Sequence, residues 1–134
     1  MKVTFHHVHL FSSDIDKSIR FYRDMFGADV IFDREVAGAR NVLIKIGNGK
    51  INFYDQPPKS YERSVMHHLG METDDLEALV AHMESKGFGF KKPIRDYGTL
   101  KYIMAEGPDN ILIEIFQTVS DEITDAQSNG FSSL

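Results

Sequence analysis

The sequence predicts an α+β protein made of two tandem βαβββ modules, and three observations lead there. Residues 7–27 and 68–87 repeat one another, with His7 over His68, Asp14 over Asp75, Ile15 over Leu76 and a glycine, Gly27 or Gly87, closing each copy. Each copy opens on a short run that alternates apolar and polar residues, then passes into apolar residues at helical spacing. Three further short runs follow each copy, separated by turn-forming residues. A chain of 134 residues is one domain's worth, and folding buries roughly 65–70% of the surface its unfolded form exposes. Residues 1–134 are therefore read as a single domain, with modules at about 3–55 and 64–117 and a polar tail at 118–134.

In the first module the alternating run 3–11 is a strand. Asp14 caps a helix whose buried face is Ile15, Ile19, Tyr22 and Phe26, and Gly27 stops it, because glycine tolerates the left-handed conformation a helix end adopts. Strands follow at 28–34, 40–46 and 50–55, the last two joined by the turn Gly47-Asn48-Gly49. The second module repeats the order: a strand at 65–73, a helix carrying Leu76, Leu79, Val80 and Met83, and strands at 89–92, 99–106 and 111–117. Gly107-Pro108-Asp109-Asn110 is its last turn. Pro57 and Pro58, in the stretch 56–60, resist helix and central strand alike and form the hinge between modules. One helix covers only one face of a four-stranded sheet, so the two sheets are expected to pair into one curved, half-open mixed sheet with a concave polar face. Beyond residue 120 only Ile123, Phe131 and Leu134 offer anchors, and the tail is expected to pack loosely or lie on a neighbouring subunit.

Composition excludes several classes. Fifteen Lys and Arg against twenty Asp and Glu leave a formal charge of −5, and no segment concentrates the basic residues that a nucleic-acid backbone requires. No apolar run approaches the ~18–20 residues of a membrane span, and the start MKVTFHHVHLF sets histidines where a signal peptide is purely apolar. A soluble cytoplasmic protein with neither nucleic-acid nor membrane partners is expected. The absence of cysteine removes disulfides, thiolate metal sites and a cysteine nucleophile, so chemistry rests on His, carboxylates, Tyr, Lys or a metal.

Strand alternation decides which of the six histidines can share a site. Val8 and Leu10 belong to the helix side of the first strand, which sends His7, His9 and Phe11 to the opposite face. Leu69 and Met71 do the same for His68, Gly70 and Glu72. By the same alternation His6 and His67 fall on the helix side. In the closing strands Ile111, Ile113 and Ile115 leave Leu112, Glu114 and Phe116 on the ligand face, and Ile51 and Phe53 leave Lys50, Asn52 and Tyr54. Asn52 lies 45 residues after His7 and Glu114 lies 46 after His68, so the repeat makes Asn52 and Glu114 equivalent. Two neutral imidazoles and one carboxylate, isolated in the apolar run Ile-Leu-Ile-Glu-Ile-Phe, form a facial set that suits a divalent metal and leaves positions for water and substrate. His7, His68 and Glu114 are the candidate metal ligands, with Asn52 as an additional donor.

These motifs resemble the vicinal oxygen chelate superfamily, which includes glyoxalase I, fosfomycin resistance proteins, extradiol ring-cleaving dioxygenases, methylmalonyl-CoA epimerase and bleomycin resistance proteins. The resemblance rests on His7-Val-His-Leu-Phe-Ser-Ser-Asp14-Ile with Phe21-Tyr22-Arg23-Asp24-Met25-Phe26-Gly27, on His68 through Asp75-Leu76, and on Gly107-Pro108-Asp109-Asn110-Ile111-Leu112-Ile113-Glu114. It implies one divalent ion per site (Mn, Fe, Ni, Co or Zn) that chelates vicinal oxygens of a small substrate, and a homodimer. It also implies a glyoxalase-like lyase or isomerase. The alternatives are an extradiol dioxygenase and a metal-free binding protein of the bleomycin-resistance kind. Where glyoxalase I and the epimerase place Glu, Gln or His this chain has Asn52, whose amide cannot act as a general base. His9, Tyr54 and Tyr102, all on the ligand face by alternation, are the candidate catalytic residues. Glu72 is a candidate to orient a ligand imidazole. The stretch 35–39 is read as a loop whose flanking Arg34 and Arg40 either meet an anionic substrate or are simply solvated, and Lys45 and Lys101 are placed on the outer surface.

Overall fold

Asp14 and Asp75 start the two helices in the same way. Each lies in extended backbone and accepts a hydrogen bond from an amide three residues on: Lys17 N to Asp14 Oδ1 at 3.1 Å and Ala78 N to Asp75 Oδ1 at 3.0 Å, which satisfies one of the orphan donors of a first turn. The computed structural model describes residues 1–2, 4–63 and 65–119. Its elements are β1 (Val8–Phe11), α1 (Ile15–Phe26), β2 (Asp29–Val36), β3 (Ala39–Ile46), β4 (Gly49–Tyr54), β5 (Leu69–Glu72), α2 (Leu76–Ser85), β6 (Arg95–Asp96), β7 (Leu100–Gly107) and β8 (Ile111–Thr118). The described residues fall into two compact units, one of Met1–Arg63 with Pro108–Asn110 and the other of the remainder.

Each unit holds an open four-stranded mixed sheet. The orders are β1-β4-β3-β2 and β5-β8-β7-β6, with the first pair of each parallel and the rest antiparallel. The expected tandem βαβββ order is thus present. In the first unit Ile15, Ile19 and Tyr22 of α1 are buried, as are Val42, Ile44, Ile51 and Phe53 of the sheet, and the Tyr22 and Phe53 rings meet at 5.4 Å. In the second, Leu76 and Met83 are buried with Ile103, Ala105, Ile113 and Ile115. Each of the larger aliphatic and aromatic side chains among these is worth roughly 1.5–3 kcal/mol when removed from water. Gly27 takes φ +70° after α1 and Gly87 φ +90° after α2, so both glycines serve where the helix has to stop.

Several expectations shift. β1 and β5 begin pairing only at Val8 and Leu69, so alternation does not extend to His6 and His67. Both are exposed rather than turned to the helix side. The strand expected at 89–92 is absent, and pairing starts only beyond Pro93, at Arg95 opposite Tyr102. Proline has no amide proton for a ladder, and Phe88 and Phe90 instead meet edge to face at 4.8 Å. The loop at 35–39 shrinks to Ala37 and Gly38, both at positive φ, because Val36 pairs with Ala39. Thr118 belongs to β8 rather than to the tail. The tail from residue 120 onward lies outside the described residues.

Two ties escape pattern reading. Gln117 clamps the start of α2, its Oε1 accepting from Leu76 N at 2.8 Å and its Nε2 donating to Asp74 O at 2.8 Å. Lys101, expected on the outer surface, keeps 15% of its side chain exposed and pairs with Glu77 of α2 at 2.7 Å.

Candidate functional site

In the second unit β8 carries Glu114 between Ile113 and Ile115, both fully buried, on the sheet face away from α2. Its register partners are Gly70 of β5 and Met104 of β7. His68 precedes β5, and its Nε2 stands 3.8 Å from Glu114 Oε2, the two side chains being 27% and 12% exposed. A carboxylate that poorly hydrated is costly without a cationic partner. Nitrogen and oxygen at this separation are close enough to share one ion at bond lengths of about 2.0–2.2 Å. The pair offers two donors of the kind a divalent metal takes.

The imidazole of His68 is held from its other side. Its Nδ1 lies 2.8 Å from Nδ1 of His67, with the rings edge to face. The first unit repeats this contact, with 2.9 Å between Nδ1 of His6 and Nδ1 of His7. From His7 a row of rings runs along the face opposite α1. His9 follows at 6.1 Å, Tyr54 at 5.6 Å from His9, and Phe11 at 6.2 Å from Tyr54. His9, Leu10, Phe11 and Tyr54 line a cavity of about 390 Å³. Asn52 pairs with His9 in register. Its Oδ1 is buried and has no hydrogen-bond partner among the described residues.

The structure therefore brings His68 to Glu114 in the second unit, and His7, His9, Tyr54 and Asn52 to one face of the first. Among the described residues no three His, Asp or Glu side chains gather tightly enough to hold an ion. Tyr102 lies in the second unit, in register with Phe116, its ring stacked on Tyr97 at 6.1 Å and 17°. The Arg95 guanidinium, hydrogen-bonded to the Tyr97 hydroxyl, draws that phenol below its usual range, and a hydrogen bond with Tyr102 adds to the effect. Glu72 is exposed, at the far end of β5 from His68. Arg40 is committed to Asp33 and Asp16 at 2.8 and 2.9 Å, and Arg34 lies over the Phe32 ring at 4.5 Å, so Arg40 does not serve as an anion contact. Sequence reasoning missed Arg95, Tyr97 and the Nδ1 contacts of the doublets. The repeated His-His pair was the signal available for the last.

Among the described residues no helix is long and apolar enough to cross a membrane. The family profile described as Glyoxalase/Bleomycin resistance protein/Dioxygenase superfamily matches residues 4–115. A lactoylglutathione lyase of Schizosaccharomyces pombe is 29% identical over 150 aligned positions, which take in 87% of this chain and 47% of the relative. The chain thus spans about half the length of that curated relative. A mutant of the fosfomycin resistance protein FosX from Listeria monocytogenes, complexed with Mn(II) and 1S,2S-dihydroxypropylphosphonic acid, superposes with a TM-score of 0.76 at 18% identity, covering 93% of this chain and 99% of that one. FosX from Mesorhizobium loti gives 0.72 at 19% identity over 94% and 99%. Identities this low speak for the fold alone, but the profile covers most of the chain: the protein belongs to the glyoxalase/bleomycin resistance protein/dioxygenase superfamily.

Proposed function

We propose that the protein is a metal-dependent enzyme, a glyoxalase-like lyase or isomerase acting on a small oxygenated substrate. In this reading His7, His68 and Glu114 are the ligands of one divalent ion (Mn, Fe, Ni, Co or Zn), and the Asn52 amide oxygen is a further donor. The His68–Glu114 pair carries the reading: an imidazole nitrogen and a poorly hydrated carboxylate oxygen face each other at 3.8 Å. When bound, the ion supplies Lewis-acid stabilisation of negative charge on substrate oxygens.

The remaining work falls to side chains of this chain. Asn52 cannot take a proton, so proton transfer belongs to His9, whose ring stands edge-on to Tyr54 on the wall of the 390 Å³ cavity. Tyr54 donates a hydrogen bond to a substrate oxygen there. Tyr102 is the third catalytic residue of this reading. Leu10 and Phe11 provide an apolar wall that lowers the local dielectric and strengthens those polar contacts. The protein acts as a soluble cytoplasmic homodimer in this proposal. The aromatic character of the same cavity supports a second reading, ring cleavage of a catechol.

The test is an assay of the chain loaded in turn with Mn(II), Fe(II), Ni(II), Co(II) and Zn(II), against a hemithioacetal, a catechol under oxygen and an epoxide. The expected result is metal-dependent turnover of the hemithioacetal that is lost in His68→Ala and Glu114→Gln. Turnover of the catechol alone transfers the protein to the second reading. Binding of small ligands without turnover, unchanged in His68→Ala, contradicts both and marks a sequestering protein.

A further inference from the structure

Neighbouring residues of an extended chain normally project to opposite faces. In both modules the doublet before the first strand breaks that rule. His6 and His7 approach through their Nδ1 atoms at 2.9 Å with ring centroids 5.1 Å apart and planes at 86°, and His67 and His68 do so at 2.8 Å, 5.0 Å and 80°. Strand pairing begins one residue later in each copy, which frees the backbone to let the rings meet. Two segments of different flanking sequence thus arrive at one geometry.

Two neutral imidazoles in such contact share one proton between the facing nitrogens, so one ring carries it on Nδ1 and the other takes the opposite tautomer. If His68 donates through Nδ1–H, its Nε2 holds a bare lone pair, and that is the nitrogen 3.8 Å from Glu114 Oε2. We propose that His67 is a positioning residue which, by accepting the Nδ1 proton of His68, fixes that ring in the Nδ1–H tautomer and aims Nε2 toward Glu114, and that His6 fixes the tautomer of His7 through the same contact. Metal-binding histidines ordinarily direct their second nitrogen to a carboxylate, carbonyl or water. Here the acceptor is the preceding histidine, twice. The inference rests on the ligand assignment above, and its test separates the two.

The metal-free chain and the variants His67→Ala, His67→Phe and His67→Asn are titrated with Mn(II), and the His68 tautomer is read by ¹⁵N NMR at about pH 8, where imidazole is ordinarily neutral. Phenylalanine keeps the ring and removes the acceptor, whereas the asparagine Oδ1 stands where the histidine Nδ1 stood. The expected result is Mn(II) affinity about 10- to 100-fold weaker in the Ala and Phe variants and restored in His67→Asn, with thermal midpoints of the metal-free proteins unchanged. His68 should be Nδ1-protonated in the metal-free wild type. Equal affinity in the wild type and His67→Phe, or an Nε2-protonated His68, overturns the positioning role while leaving the ligand assignment in place. Failure of the wild type to bind Mn(II), or Fe(II), Ni(II), Co(II) and Zn(II) titrated in the same way, overturns both.

Discussion

Asn52 sits directly across the parallel β1–β4 pair from His9, and its side-chain oxygen is buried with no hydrogen-bond partner among the described residues. A buried carbonyl left alone costs about 1–3 kcal/mol, and the two neighbours that share its face, His9 and Tyr54, line the 390 Å³ cavity. Replacing it by a leucine of similar shape should leave the ligand-free chain as stable as before, or more stable by about 1 kcal/mol. The same variant should bind metal and substrate more weakly. Thermal unfolding and Mn(II) titration of Asn52→Leu together check this; a large loss of stability would show that the amide is instead a structural group.

Tyr22 presents the same situation in the core. It is 1% exposed, its hydroxyl has no partner among the described residues, and burial, with Asp109 adding repulsion, pushes its ionisation well above the ordinary phenol range. Tyr22→Phe keeps the ring against Phe53 and removes the orphaned hydroxyl. It should stabilise the protein by about 1 kcal/mol, a rise of roughly 3–5 °C in Tm.

Arg40 forks onto Asp33 through Nε and Nη2, at 2.9 and 2.8 Å, and reaches Asp16 of α1 through Nη1 at 2.9 Å. The guanidinium holds the Asp33 carboxyl below the usual carboxylate range. A folded value below the unfolded one of about 3.9 means the stabilisation is complete above that pH and is lost as pH falls through the folded value. Asp33 is 41% exposed on its side chain, so screening limits the gain, and Arg40→Ala should cost about 1 kcal/mol at neutral pH. Urea melts of wild type and Arg40→Ala should differ at pH 7 and converge as pH falls through the lowered Asp33 value. A constant difference would show that packing rather than charge is responsible.

The helix caps offer a check on the repeat. Asp14→Ala and Asp75→Ala should each cost about 1 kcal/mol, and the asparagine variants much less, because the amide oxygen still accepts from Lys17 or Ala78. Equal losses for alanine and asparagine would point to the charge instead of the hydrogen bond.

These caps were legible in the sequence because an acidic residue ahead of an apolar helical stripe has one common physical use. The same holds for the buried Ile113 and Ile115 flanking Glu114, since period-two alternation survives wherever a strand has one buried face. It failed where pairing had not begun, at His6 and His67, and where a proline interrupted the ladder, before β6. Arg40 and Lys101 looked like solvated cations because their partners, Asp16 and Glu77, lie 24 residues away along the chain. Long-range pairing of that kind leaves no local pattern to read. The clamp of Gln117 on α2 is silent for the same reason.

The central claim is that His7, His68 and Glu114 hold one divalent ion. Elemental analysis of protein purified without added metal, followed by titration with Mn, Fe, Ni, Co and Zn, tests it most directly when His7→Ala and Glu114→Ala are measured alongside. The account predicts about one ion per chain in the wild type, with both variants empty yet folded. Absence of metal from the wild type with no affinity on titration, or full occupancy in both variants, would contradict it.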